Sequence, residues 1–226
     1  MGNVVVPKSI DSGASGSTWG ALLNNIFFIG LFGIQHTVMA RPAFKERWTK
    51  IIPRPVERST YVLITSLLLC LIVWRWQPMT GVVWEIENSI AATVLWCVSV
   101  AGWGLALYAT FLIDHFDLFG LRQVYLYARG RAYTHPQFAV ASLYKYVRHP
   151  LLLGFLMAFW STPRMTLGHL VFCVATTAYV LVAVQFEERD LARFHGEAYE
   201  DYRRRVPMLI PSPRRMPTSQ SGVRSA

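Results

Sequence analysis

Long apolar runs, separated by short polar segments, dominate the pattern of hydrophobic and polar positions along this chain. A helix needs about 20 apolar residues to cross the hydrocarbon core of a bilayer. Five runs approach that length, at residues 19–40, 59–74, 90–113, 149–161 and 166–186. The pattern therefore predicts an all-α, polytopic integral membrane protein with about five transmembrane helices.

The second and fourth runs are short for a span. Each could borrow flanking residues or tilt less, and the fourth could instead begin within residues 138–147 as a partly embedded helix. Residues 1–17 are rich in Gly and Ser and predict a flexible tail, while residues 212–226 carry Pro, Ser and Arg and predict a disordered one. A single membrane domain is expected over residues 18–211.

Composition agrees with a membrane protein, because 53% of the 226 residues are hydrophobic, 15% are charged and the mean hydropathy is +0.32. Such values are unusual for a soluble domain. Cys70, Cys97 and Cys173 fall inside predicted spans, far apart in sequence and without His at metal-ligand spacing. They are interpreted as packing residues, and no metal site is predicted.

Positive charge is distributed asymmetrically about the predicted spans. If all five runs cross the membrane, every Lys and Arg lies on one side except Lys8, Arg75 and Arg164. Cytoplasmic loops are enriched in these residues, so we expect an outside N-terminus and a cytoplasmic C-terminus, in a bacterial cytoplasmic membrane. The net charge of +9 flanks spans rather than forming a stripe on a folded domain. Anionic lipid head groups are therefore expected as partners, and nucleic acid is not.

Polar residues near the cytoplasmic ends of the spans are the candidates for chemistry, since ionisable groups there are costly and mark functional sites. Gln35 and His36 lie near the cytoplasmic end of the first span, although His36 could simply bond a neighbouring helix. A second cluster follows the third span and contains Asp114, His115, Asp117, Arg122 and Gln123. Its interleaved aromatics favour a loop folded against the membrane, and the alternative is a solvated helix end.

Two further clusters bracket the last two runs. Arg148-His149-Pro150 opens the fourth run, and proline is well tolerated in the first turn of a helix. The helix N-terminus favours anions, so a carboxylate could dock there beside Arg148. Glu187-Glu188 closes the fifth run, and the two side chains face different sides of a helix. One could enter a pocket while the other binds an arginine, although taken alone the segment could be an ordinary interfacial charge run.

The C-terminal third carries a recognisable order of motifs. Arg-His-Pro and an apolar hairpin are followed by Glu-Glu-Arg-Asp-Leu from Glu187, and then by Phe-x-Gly-x-x-Tyr-x-x-Tyr-x-x-x-Val-Pro from Phe194. This region resembles the membrane methyltransferases related to isoprenylcysteine carboxyl methyltransferase and phospholipid methyltransferases. The resemblance implies S-adenosylmethionine as cofactor, in a cytoplasmic-side pocket built mainly by the C-terminal hairpin and tail. The implied cofactor-binding residues are Tyr144, Arg148, His149, Pro150, Glu187, Glu188, Tyr199, Tyr202 and Arg204.

A narrower resemblance covers nearly the whole chain. Residues 33–42, 57–63 and 115–123 are similar to the methanethiol S-methyltransferase family. This implies in-line S-methylation of methanethiol, a small volatile thiol, to dimethyl sulfide. A thiol needs a base or an electrostatic stabiliser to react, and the catalytic candidates are His36, Asp114 and His115. We favour His36 held by a carboxylate, because imidazole titrates near working pH. The predicted substrate-binding residues are Gln35, Asp117, Arg122 and Gln123.

Two other functions fit parts of the pattern. A methyltransferase acting on a lipid or a prenylated thiol or carboxylate would share the cofactor site, but it would need a wide lateral opening for a long chain. A transporter or channel would carry ionisable residues through the middle of its spans. Here the middles of the spans are nearly free of charge.

Overall fold

The computed structural model describes residues 8–13, 16–134, 140 and 142–211. Over these residues nine α-helices and two short strands follow one another along the chain. In chain order they are α1 (Thr18–Ala40), α2 (Pro42–Trp48), α3 (Arg54–Arg75), β1 (Val82–Glu85), α4 (Ser89–Ile113), α5 (His115–Leu118), α6 (Leu121–Ala128), α7 (Pro150–Trp160), β2 (Arg164–Thr166), α8 (Leu167–His195) and α9 (Glu197–Arg205). A 3-10 turn at Ser142–Lys145 precedes α7.

Four of the described helices, α1, α3, α4 and α8, are long and apolar enough to cross a membrane. Many of their large apolar side chains are exposed, among them Leu23, Leu67 and Leu107. Apolar surface of this kind faces lipid in an integral membrane protein. The all-α polytopic prediction is therefore confirmed, with two short strands added to it.

The fourth predicted span is the 11-residue helix α7. At about 1.5 Å per residue it covers roughly half of a 30 Å hydrocarbon core. Its main neighbour is α4, which it approaches at glycine: a Cβ on Gly102 would lie 2.6 Å from the backbone nitrogen of Ala158, and one on Gly154 would lie 2.6 Å from that of Ala106. Small residues allow such close helix packing in membranes. The hydroxyl of Ser99 adds a bond to the Ala158 carbonyl at 3.0 Å.

The pairing of the two strands shows that the chain after α7 returns to the face of the bundle that it reached after α3, although α7 is short. β1 follows α3, β2 follows α7, and the two pair antiparallel with Val82 opposite Thr166 and Glu85 opposite Arg164. The segments after the second and fourth spans therefore lie on the same face of the bundle. Residues 8–13 contact this face as well, since the Trp76 indole donates to the Ile10 carbonyl at 3.1 Å and Thr166 donates to Asp11 at 2.6 Å.

The first and last long helices are parallel neighbours. Phe32 and Tyr179 make an edge-to-face ring contact, and Arg41 further along α1 reaches Asp190 further along α8. Close approach at the first of these levels requires glycine, because a Cβ on Gly33 would lie 2.9 Å from a Tyr179 ring carbon. In the five-span prediction three spans lie between these two helices. An odd number of intervening spans makes the two helices parallel, as observed.

Two predicted boundaries are corrected by the structure. α3 begins at Arg54 rather than at residue 59, with Pro55 in its first turn. α8 continues to His195, nine residues beyond the predicted end at Phe186, because the Glu, Arg, Leu and Ala that follow are good helix formers. It ends at Gly196, whose φ of +59° suits glycine. Of the predicted N-terminal tail 1–17, residues 1–7, 14 and 15 lie outside the described residues, and so does the whole predicted tail 212–226. Residues 138, 139 and 141, where the fourth span could have begun, also lie outside them.

Candidate active site

A buried ion pair joins the turn before α7 to the polar end of α8. The Arg148 Nε donates to Glu188 Oε1 at 2.7 Å, and His149 Nε2 lies 3.1 Å from the same oxygen. Glu188 is only 5% exposed. A buried carboxylate is tolerated when it is paired and hydrogen-bonded in this way. Of the two neighbouring glutamates, Glu188 is therefore the one that binds an arginine.

The C-terminal segment completes this cluster through backbone groups. The Arg148 Nη1 donates to the carbonyls of Arg203, at 3.0 Å, and Val206. The backbone amides of Arg148 and His149 donate to Pro207 and Met208 at 2.9 and 3.1 Å. The Arg-His-Pro turn, α8 and the chain after α9 thus form one unit. Two nitrogens of the Arg148 guanidinium, Nε and Nη1, donate to acceptors of the protein itself. This side chain therefore holds the three segments together.

Glu187 occupies a different environment from its neighbour. Its side chain is 56% exposed, and Oε2 lies 3.8 Å from His149 Nδ1. Burial is the main cause of the raised pKa of Tyr144 and of Tyr199, and the negative charge of Glu187 adds to it. Glu187 is therefore the more accessible of the two carboxylates.

Tyr199 and Tyr202 are buried beneath this cluster, at 2% and 6% exposure. The Tyr202 hydroxyl donates to the Tyr144 carbonyl at 2.7 Å, and the two rings of α9 meet edge to face at 5.8 Å. Burial raises the pKa of Tyr144, Tyr199 and Tyr202, so their hydroxyls remain protonated donors. Pro150 is likewise fully buried at the first turn of α7. Pro150, Tyr199 and Tyr202, three of the predicted cofactor residues, are therefore buried.

Arg204 lies elsewhere than the other predicted cofactor residues. Its side chain is 70% exposed on α9 and pairs with Asp201 one turn earlier. An exposed pair within one helix contributes little stability and points to solvent. The sequence motif could not show which of the three consecutive arginines lies near the buried pair. Arg203, with 46% of its side chain exposed, is the one that approaches Glu188, at 3.9 Å.

His36 lies in an aromatic cluster between α1, α3 and α8. The Tyr61 hydroxyl is 2.9 Å from Nδ1 and 2.8 Å from Nε2 of the imidazole. The ring stacks on Phe32 at 5.4 Å and meets Tyr179 edge to face at 6.2 Å. The hydrogen-bond partner is thus a tyrosine hydroxyl where the sequence suggested a carboxylate. Gln35 beside it donates to Met39 Sδ at 3.0 Å and lies 3.4 Å from the Thr65 hydroxyl.

The cluster after the third span forms a local network. Asp114, at φ 95°, caps α5 by accepting from the Asp117 amide at 3.1 Å. Asp117 pairs with Arg122 at 3.0 Å and accepts from the Tyr133 hydroxyl at 3.1 Å. Burial and the Asp117 charge raise the pKa of Tyr133. Gln123 Nε2 donates to the Asp117 carbonyl at 3.2 Å, so this loop is held by its own side chains.

His115 lies on a different face of α3 from His36. Its ring stacks on Phe111 at 4.5 Å, with Nδ1 2.8 Å from the Thr110 hydroxyl. It lines an open groove of about 390 Å³ together with Ser59, Val62 and Ser66 of α3. At about 100° per residue, these three positions are turned about 100–160° away from Tyr61, which faces His36. The two predicted acceptor clusters are therefore separated by α3.

Several residues near the site were absent from the sequence-based prediction of site residues. Tyr61 and Tyr179 surround His36, and Arg41 pairs with Asp190 at 2.8 Å beside them. Tyr61 falls within a motif that carries the narrower resemblance, and Tyr179 is a hydroxyl-bearing ring inside an apolar run. Neither signal shows by itself which way a helical side chain points.

Relatives with curated names are similar to this chain over most of its length. It is 51% identical over 211 residues to methanethiol S-methyltransferase of Crocosphaera subtropica, covering 93% of this chain and 83% of that one. It is 48% identical over 215 residues to the enzyme of that name in Mycobacterium tuberculosis, covering 95% and 88%. Nurim of Xenopus laevis is a more distant relative, 28% identical over 211 residues, with 84% and 74% covered. Neither a family model nor a solved structure matches.

Proposed function

This chain belongs to the methanethiol S-methyltransferase family, and on that basis we propose that it transfers a methyl group to methanethiol, forming dimethyl sulfide. The observation that supports a site for this reaction is the placement of His36 and Glu187 on the parallel neighbours α1 and α8. His36 and Tyr61 form the acceptor side. Glu187, beside the Arg148–Glu188 pair, forms the donor side.

We propose S-adenosylmethionine as the methyl donor. When bound, it supplies an electrophilic methyl group on a positively charged sulfonium. The described residues fit such a group, since Glu187 offers a half-exposed carboxylate for its ammonium and the first turn of α7, at Pro150, favours its carboxylate. Arg148 and Glu188 are engaged with each other and hold these two elements together. The buried Tyr199 and Tyr202 form the floor beneath.

The acceptor side must remove a proton from methanethiol as its sulfur attacks. The Tyr61 hydroxyl accepts the S–H proton and passes its own proton to His36. It can do so because it lies within hydrogen-bond distance of the imidazole nitrogens. With the donor bound, a new bond would join the thiol sulfur to the methyl carbon as the bond from that carbon to the sulfonium breaks, and S-adenosylhomocysteine would leave. Negative thiolate and positive sulfonium neutralise each other in the transition state, so a site that excludes water favours the reaction. Phe32 and Tyr179 shield His36 in this way.

A cytoplasmic C-terminus in a bacterial inner membrane is part of the same proposal. The predicted cytoplasmic face carries most of the Lys and Arg, including those of α2 and α9. A donor made in the cytoplasm would then reach Glu187 and the turn before α7 directly. The basic residues on this face would contact anionic lipid head groups.

The test is to supply the purified protein with methanethiol and S-adenosylmethionine labelled in its methyl group, and to measure labelled dimethyl sulfide in the headspace. Labelled product that requires both substrates is the expected result. Methylation of a prenylated thiol or a lipid, with no dimethyl sulfide formed, would contradict the assignment of the acceptor. Protein inactivated by heat provides the background.

A further inference from the structure

We propose that the ion pair between Arg41 and Asp190 is a positioning device that sets the distance between the acceptor and donor sides of the site. This inference rests on the proposed methyl transfer. Arg41 Nη1 lies 2.8 Å from Asp190 Oδ2, and both side chains are 25% exposed. The pair joins the end of α1 to the polar part of α8.

Three contacts fix the direction of the Arg41 guanidinium. Besides its bond to Asp190, its Nε donates to the Thr37 carbonyl at 3.1 Å, and its central carbon lies 5.6 Å from the centre of the Phe186 ring. A guanidinium held by a carboxylate, a carbonyl and an aromatic face has little freedom to reorient. The link between α1 and α8 is therefore stiff at this level.

A second link joins the same two helices deeper in the bundle. There Gly33 admits the Tyr179 ring so closely that an added Cβ would lie 2.9 Å from it. His36 lies between Gly33 and Arg41 on α1, and Glu187 lies between Tyr179 and Asp190 on α8. The packing contact and the ion pair thus bracket the stretch of α1 and α8 that carries His36 and Glu187.

The location of Asp190 indicates that positioning, rather than general stability, is the main role. Asp190 is three residues beyond Glu187, close to one helical turn, so a change in the orientation of α8 at Asp190 is transmitted to Glu187. In methyl transfer the sulfur and the methyl carbon must be in line at close range. A misplacement of about 1 Å in such a geometry costs about 100-fold in rate.

The experiment compares R41A, D190N, the charge-swapped double variant R41D/D190R and the control R193A. Arg193 lies 3.9 Å from the same Asp190, but on the same helix and 82% exposed, so its loss leaves the link between the helices intact. For each variant, kcat and KM for both substrates, the affinity for S-adenosylhomocysteine and the midpoint of thermal unfolding in detergent are measured.

We expect kcat to fall by about 10- to 100-fold in R41A and D190N, with affinity for S-adenosylhomocysteine and the unfolding midpoint near those of the parent. R193A should match the parent, and the swap should regain at least part of the lost kcat. If R41A keeps the parent's kcat, whether or not its KM for the cofactor rises, the positioning role is wrong. A parent protein with no methyl transfer to methanethiol overturns the proposed function itself.

Discussion

Arg148 and Glu188 are 40 residues apart in sequence and meet at 2.7 Å in the structure, with 9% and 6% of their side chains exposed. This contact joins the turn before α7 to α8, and the chain after α9 bonds to the same turn through the carbonyls of Val206, Pro207 and Met208. The contact holds α8 against this turn, and Glu187 lies next to it with its side chain half exposed.

Replacing Glu188 with glutamine should destabilise the protein strongly. The substitution leaves the Arg148 guanidinium buried without its counter-charge, and breaking a buried pair costs about 3–5 kcal/mol. We expect the lower end of that range, because the exposed Arg203 near Glu188 shows that solvent is close. Unfolding in mixed detergent micelles measures the change. The control is Glu200→Gln, which removes an exposed partner 3.7 Å from Arg203 and should change the unfolding free energy by less than about 1 kcal/mol.

Replacing Glu187 with glutamine should have the opposite profile. Its side chain is half exposed, so the unfolding free energy should change little. A lost pairing with the ammonium group should weaken binding of S-adenosylhomocysteine by about 10-fold or more, which corresponds to about 1.4 kcal/mol. Calorimetric titration measures this directly. Unchanged affinity would show that Glu187 lies outside the cofactor site.

Tyr61→Phe should lower kcat without a large loss of stability, because it removes the hydroxyl next to His36 and retains the ring. General acid–base groups contribute about 10²–10⁴-fold to rate, and we expect a loss within that range. His36→Ala should lose a similar amount, and the double variant should be no worse than either single one if the two act as a unit. Full activity of His36→Ala across the pH range would remove this residue as the base. The measurement is the rate of dimethyl sulfide formation.

His115→Ala should retain most of the activity of the parent protein. Its ring faces the groove on the other side of α3, beside Ser59 and Ser66. The same assay decides this prediction. A loss as large as that of His36→Ala would mean that the groove side of α3 takes part in the reaction.

Gly102→Ala should destabilise the contact between α4 and α7. The added methyl would lie 2.6 Å from a backbone nitrogen of α7, which cannot move aside as a flexible side chain can. Overpacking of this kind costs about 1–3 kcal/mol or more. Gly104→Ala on the same helix is the matched control, since nothing lies within 4 Å of its added Cβ. The midpoint of thermal unfolding should fall only for the first variant.

The amino-acid sequence alone determined the membrane class and the approximate positions of the helices. The thickness of the bilayer sets how many apolar residues a helix needs to cross it, and such runs can be read directly from the sequence. The first and third spans were predicted within a residue of their observed ends. The helix α8 was predicted too short, because the end of an apolar run marks the edge of the hydrocarbon and not the end of the helix. The sequence also indicated that the Arg-His-Pro and Glu-Glu motifs belong to one candidate site, because a motif is recognised from the order of its residues along the chain.

Only the tertiary structure decided which side chains meet. The sequence predicted that one of Glu187 and Glu188 binds an arginine, and the rotation of α8 made it Glu188. The sequence placed His36 and His115 near the same membrane face, yet packing placed them on different sides of α3. The partner of His36 is Tyr61, 25 residues away on another helix. Helical rotation and packing depend on many contacts distributed along the whole chain, which a local pattern does not contain.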